Sequence, residues 1–466
     1  MVEARTNAAY QFEPDFAARQ SILWAVAWLV GGVTVTLLAH VLLVRPELTP
    51  DIPLVALTYG RLRGVAETTI VFGWLGTIGF AAIFAILPRI TEVQLHNEVL
   101  GAATTLTWSV LLTGGIVALL LGLNQGRLLA ELPAGADLGM WLMLVLVLYN
   151  AGVTIVRRRE RTIYVSGWYL IGAALLAPIV FAVGNLPTFE GVTDSILSGF
   201  YLNGLEMLWL LPIGLAVAHY VVPVETGNAL HSNALARAGF WSLMFAGGWS
   251  GQRLFLKGPG PDYLEAIAVA MTFVLLIPVL SSAANLFATG QGRWQLVTQA
   301  FGLRFAATAI GLLVAWIVLV VVSTVPSVYR FVGLTAWQAG VRHLAVFGVF
   351  TSFAFAFVYH AYPLMVGRDW YSRRLSAFHF WTTEIGVVTG TALLIATGAA
   401  QGSIAAAGAA PGAIDVVPLL RLLTALAFVA VAVAQYAFAY NLFRTARAGP
   451  IVSVWSPATV TVGGSR

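Results

Sequence analysis

TAWQAGVRHLAVFGVFTSFAFAFVYHAYPLMVGRDWYSRRLSAFHFW, residues 335–381, decides how the rest of the chain is read. Arg342 and His343 open an apolar run of about twenty residues, long enough to cross a bilayer. Tyr359, Tyr362 and Trp370 crowd one end of it, where amphipathic rings favour the headgroup level. A basic turn with Arg368, Arg373 and Arg374 follows, and His379-Phe380-Trp381 starts the next apolar run. Two ionisable groups side by side at membrane depth are costly, so Arg342 and His343 mark a site.

Working outward, the 466 residues are 59% hydrophobic and 10% charged, with a mean hydropathy of +0.85. A soluble core of this size never needs so much apolar surface, so the chain is an integral membrane protein whose first partner is the lipid bilayer. The net charge of +5 comes from arginines in connecting loops, and the only lysine is Lys257, so nucleic acid is not an expected partner. The absence of cysteine excludes disulfides, thiolate metal sites and c-type haem attachment to this chain. Residues 1–20 are polar and of mixed charge, without the apolar core of a cleavable signal, so the first span is expected to insert intact.

Apolar windows of about twenty residues predict twelve spans. They cover 21–44, 66–88, 99–122, 139–156, 165–186, 196–222, 236–256, 262–287, 304–324, 336–364, 376–399 and 416–443. The seventh is the weakest, because Gly247, Gly248 and Gly251 interrupt it and Arg253 sits near its end. Residues 21–445 thus form one all-α membrane domain between a segment at 1–20 and a tail at 446–466. Arginine clusters follow spans four (Arg157–Arg161), eight (Arg293), ten (Arg368–Arg374) and twelve (Arg444, Arg447). All are even-numbered exits, which places both termini in the cytoplasm. The low-complexity stretch 398–414 reads as a flexible outer loop. AHYVVP (218–223) and YHAYP (359–363) echo each other at two span ends, too briefly to define a repeat.

Of seven histidines, His219 and His360 sit beside tyrosines at span ends and read as interfacial anchors, as does His40. His96 and His231 fall in loops, and His379 opens a span as a capping or packing residue. Only His343 is both deep and flanked by a second ionisable group. Glu67, Glu206 and Glu384 are intramembrane carboxylates that are expected to be protonated, paired with arginine or part of a proton path. No HExxH, P-loop or nucleophile elbow is present.

At GRLRGVAETTIVFGW (60–74), with the preceding RPEL (45–48), the chain resembles the catalytic subunit of cbb-type cytochrome c oxidases, within the haem–copper oxidase superfamily. The resemblance resumes at HYVVPVETGNAL (219–230), FWSLMF (240–245) and SGQRLFLKGPGPDY (250–263), and continues through YSRRLSAFHFW (371–381) to AYNLFRT (439–445). It implies a twelve-helix subunit I-like bundle in a bacterial inner membrane. The metal ligands do not follow. The position of the span-two histidine that ligates the low-spin haem is Ala66, and the two span-ten histidines fall on Val341 and His343. The copper ligand of span six corresponds to Asn203, and the histidine pair of span seven to Gln252-Arg253. The cross-linked tyrosine aligns near Leu256. Of six ligand positions, only His343 keeps its histidine.

The resemblance therefore implies a degenerate paralogue: no copper, and at most one haem at His343. An ion pair of Glu206, Arg253 and Arg342 is expected in the former copper site, because an unpaired charge there would be costly. With Ala66 offering no donor, the former low-spin haem cavity is expected to be filled by side chains or lipid. The leading functional reading is a non-catalytic structural subunit holding other membrane or cytochrome subunits of a redox complex. Its rivals are a membrane binder or transporter for a small anion, quinone or proton, and a haem subunit with atypical ligation.

The lack of native cysteine makes the topology easy to check. A single Arg159→Cys substitution should react with a membrane-impermeant maleimide only after the cytoplasmic face is opened; labelling from outside intact cells would reverse the orientation.

Overall fold

The computed structural model describes residues 14–48, 57–185, 189–408 and 416–451. Twelve helices run across it: α1 Phe16–Val44, α2 Tyr59–Thr91, α3 Glu98–Leu120, α4 Ala134–Val156, α5 Val165–Asn185, α6 Gly191–Thr226, α7 Asn233–Trp249, α8 Asp262–Thr289, α9 Phe301–Thr324, α10 Ala336–Val366, α11 Arg373–Ala406 and α12 Val416–Ala448. Eleven are long and apolar enough to cross a membrane. The exception is α7, with 17 residues, which ends at Trp249 where the sequence predicted a span to 256; a 3-10 turn, Gly251–Phe255, follows it.

Boundaries differ elsewhere too. Helix α1 starts at Phe16 rather than 21, and α12 runs on to Ala448. Residues 398–406, expected in a loop, continue α11. Their alanines favour helix, and Gly398 and Gly402 let α11 lie directly against the backbone of Trp337 and Phe331. The rest of that expected loop, 409–415, and the tail from 452 lie outside the described residues.

Three helices form the interior. In their most apolar windows α2 is 100% buried, α6 94% and α10 89%, against 33–56% for the other long helices. Each interior helix widens into a π stretch: Thr69–Gly76, Leu205–Leu210 and Leu344–Phe350. Each also carries a late proline, at Pro88, Pro223 and Pro363, followed four residues on by a left-handed residue, Glu92, Gly227 and Gly367.

Nine residues past each proline the next helix is capped by the same device. Asn97 N–H donates to Asn150 Oδ1 (3.1 Å) while Asn150 Nδ2 donates to Asn97 O (2.9 Å). Ser232 and Asn285 repeat this at 2.8 and 2.9 Å, and Ser372 and Asn441 at 3.0 and 3.1 Å. One residue earlier in each case, the N–H of His96, His231 or Tyr371 donates to Thr154, Thr289 or Thr445, all at 3.0 Å. The chain is thus three four-helix units, α1–α4, α5–α8 and α9–α12, each closed by a buried asparagine. The echo between 218–223 and 359–363 is part of this repeat, and its third member is the Pro88 region.

A buried amide that satisfies both a backbone donor and an acceptor cannot be removed without stranding both. Asn285→Ala should therefore destabilise the purified protein by about 1–3 kcal/mol, read as a lower unfolding temperature in detergent. An unchanged transition would show that the clamp is incidental.

Candidate functional site

The candidate positions sit where the interior helices loosen. Ala66 precedes the π stretch of α2, Asn203 and Glu206 flank the start of that in α6, and Val341, Arg342 and His343 immediately precede that in α10. Gln252 and Arg253 lie not in a helix but in the 3-10 turn after α7. That turn crosses α6 backbone to backbone, since a Cβ on Gly251 would come 2.7 Å from the Gly199 carbonyl oxygen. The close crossing drives Arg253 inward.

Arg253 is buried and donates through Nη2 to Glu206 Oε2 (3.1 Å) and through Nε to Asn203 Oδ1 (3.3 Å). Asn203 Oδ1 also accepts from Ser250 Oγ (3.1 Å), while its Nδ2 donates to Gly247 O (2.6 Å). Gln252 turns away and donates to Ile196 O (3.0 Å). Every amide and guanidinium aimed at this point thus has a protein partner.

Arg342, expected beside Glu206 and Arg253, pairs instead with Glu67 (3.4 Å), which also accepts from Arg63 at 2.9 Å. Glu67 is one residue from Ala66, and its side chain lies within reach of α10. Nearby, the half-buried loop residue Glu131 is held above the usual carboxylate range, first by burial and then by the Glu67 charge, with Arg63 opposing. A cavity of about 380 Å³ lies against Glu206, Arg253, Val341, Arg342 and Trp316, with the Arg127–Asp194 pair (2.7 Å) on its wall.

A second cavity, about 790 Å³, adjoins the first through Glu206 and Arg342. Ala66, Glu67 and His343 line it, so side chains do not fill this space as expected. His40 lines it too. Its place near a span end makes His40 look interfacial from sequence; the signal that points inward is its position on α1, the helix packed alongside α2. Of the other histidines, His219 and His360 depart from their expected interfacial roles. His219 is fully buried against Tyr169, His360 pairs with Glu225 (2.6 Å), and His379 is buried between Tyr359 and Gln435 (both 3.1 Å).

The donor set can now be tested against metals. Among the described residues no three His, Asp or Glu side chains gather to hold an ion. At the Asn203–Arg253 position a permanently charged guanidinium and an amide already committed to protein partners do not fit copper, which needs imidazole or thiolate donors. Val341 has no donor atom for a haem iron, so that position does not fit a haem either.

The chain's relatives are consistent across its length. The family model for Cytochrome C and Quinol oxidase polypeptide I matches residues 16–445. A relative from Stutzerimonas stutzeri, Cbb3-type cytochrome c oxidase subunit CcoN1, is 25% identical over 414 residues, covering 85% of each chain. Cytochrome c oxidase subunit 1 of Rhodobacter capsulatus is 24% identical over 402 residues, 83% of this chain and 76% of its own length. A heme-copper terminal oxidase dimer solved by cryo-EM superposes with a TM-score of 0.78 at 13% identity, over 95% of this chain and 88% of its own, and shares the fold.

Breaking a buried ion pair by removing one partner typically costs about 3–5 kcal/mol. Glu206→Gln and Arg253→Gln should each destabilise the protein on that scale in thermal unfolding, and the double variant should lose less than the sum. Additive losses would show that the two groups do not act as a pair.

Proposed function

From a chain that belongs to the cytochrome c and quinol oxidase polypeptide I family, we propose a non-catalytic subunit: a multi-pass membrane protein that scaffolds a larger redox complex and does not itself reduce oxygen. One observation carries this reading. Arg253, at the position where the family resemblance calls for a copper-ligating histidine, is buried and bonded to Glu206 and Asn203. A fixed positive charge there opposes a second cation, and the neighbouring amides are spent on Gly247, Ser250 and Ile196.

What the chain retains is consistent with a frame. The three helix units, their asparagine clamps and the interior π stretches are all intact. Such a frame can dock other membrane subunits and hold cytochrome-bearing partners at a fixed distance from the bilayer. The network Arg63–Glu67–Arg342, with Arg253–Glu206, then serves to neutralise the interior.

Two measurements on the protein purified from native membranes test the proposal. Copper analysis and oxygen uptake with a reduced cytochrome or quinol donor should both give background values. Cross-linking with mass spectrometry should recover cytochrome-containing membrane subunits. Stoichiometric copper with oxygen uptake would overturn the non-catalytic reading, and a solitary chain without partners would overturn the scaffold.

A further inference from the structure

We propose that His40 and His343 would together hold one haem in the 790 Å³ cavity, with His40 on α1 supplying the donor that Ala66 on α2 does not. Both side chains line that cavity. They converge on one phenyl ring: the His40 ring centroid lies 3.9 Å from that of Phe428 and His343's lies 4.9 Å from it. His343 Nε2 is buried without a hydrogen-bond partner. His40 is held by its other ring nitrogen, with Nδ1 2.8 Å from Thr36 O. An Nδ1–H donated to a carbonyl puts the lone pair on Nε2 and fixes the ring, which is how metal-binding histidines are oriented.

That hydrogen bond alone does not make a site. His219 has it as well, to Leu215 O at 2.8 Å with an unpartnered Nε2, yet it is packed against Tyr169 and lines neither cavity described above. What separates His40 and His343 is the space they share.

The rest of the lining fits a flat apolar ligand with acidic groups. Ile70, Val71, Leu205, Leu210, Val346 and Phe347 give an apolar wall. Arg63, Arg342 and Arg421 contribute three guanidiniums to the lining, of which two share Glu67, so positive charge is left over for carboxylates. When bound, a haem with two imidazole ligands supplies a one-electron carrier. The chain's residues hold it, exclude water and neutralise its acidic groups.

The test uses the full chain, expressed in a haem-replete host and purified in detergent. The expected result is one haem per chain with a low-spin, two-imidazole spectrum. His343→Ala and His40→Ala should lose the low-spin bands, while His231→Ala, in an exposed loop, should keep them. His40→Met guards against misfolding: it should retain haem with a shifted spectrum and a raised reduction potential. Haem-free protein from haem-replete membranes, or an unchanged low-spin spectrum in both His40 variants, would overturn the proposal. Oxygen uptake, which decides the non-catalytic reading, is a separate measurement, so the two can fail independently.

Discussion

A guanidinium buried in the middle of a membrane bundle is the constraint on which the rest of this structure turns. Taking Arg253 out of water costs several kcal/mol unless it is paired and its donors are satisfied. Glu206 and Asn203 on α6 meet that need. The geometry follows from it: α7 stops at Trp249, the 3-10 turn crosses α6 at Gly251, and Ser250 closes the amide side. With a fixed positive charge at that point, a metal cation would bring like charge into a low-dielectric space.

The frame around this point is held by hydrogen bonds within the protein. Three asparagine clamps at one end of the bundle tie α3 to α4, α7 to α8 and α11 to α12, each with two amide hydrogen bonds. The π stretches are internal to α2, α6 and α10. Such stretches recur at functional sites because they turn side chains that a regular helix would hide. Here they bring Glu67, Glu206 and Arg342 towards shared cavities. The fold can be kept for its own packing while the groups inside it change.

Most of the fold was legible in the sequence, since spans are set by apolar length and only α7 fell short. The clamps were not, because single Asn, Ser and Thr residues are common and their pairing appears only when two helices are side by side. Glu206 and Arg253 could be brought together by placing α6 and α7 in one fold. Arg342 could not be assigned, because its choice between Glu206 and Glu67 depends on the widened turns of the interior helices. Gln252 and Arg253 were read as helical because the three glycines gave no sign of which backbone they would cross. His40 was missed for a different reason: a histidine near a span end looks interfacial until the cavity beside it is seen.

A cryo-EM map of the protein at side-chain resolution tests the central claim most directly, at the meeting point of α6 and the 3-10 turn. Density joining the Arg253 guanidinium to the Glu206 carboxylate, with the Asn203 amide on the Gly247 carbonyl, is the predicted result. A metal-strength peak ligated at that point, with Arg253 displaced towards solvent, would contradict it.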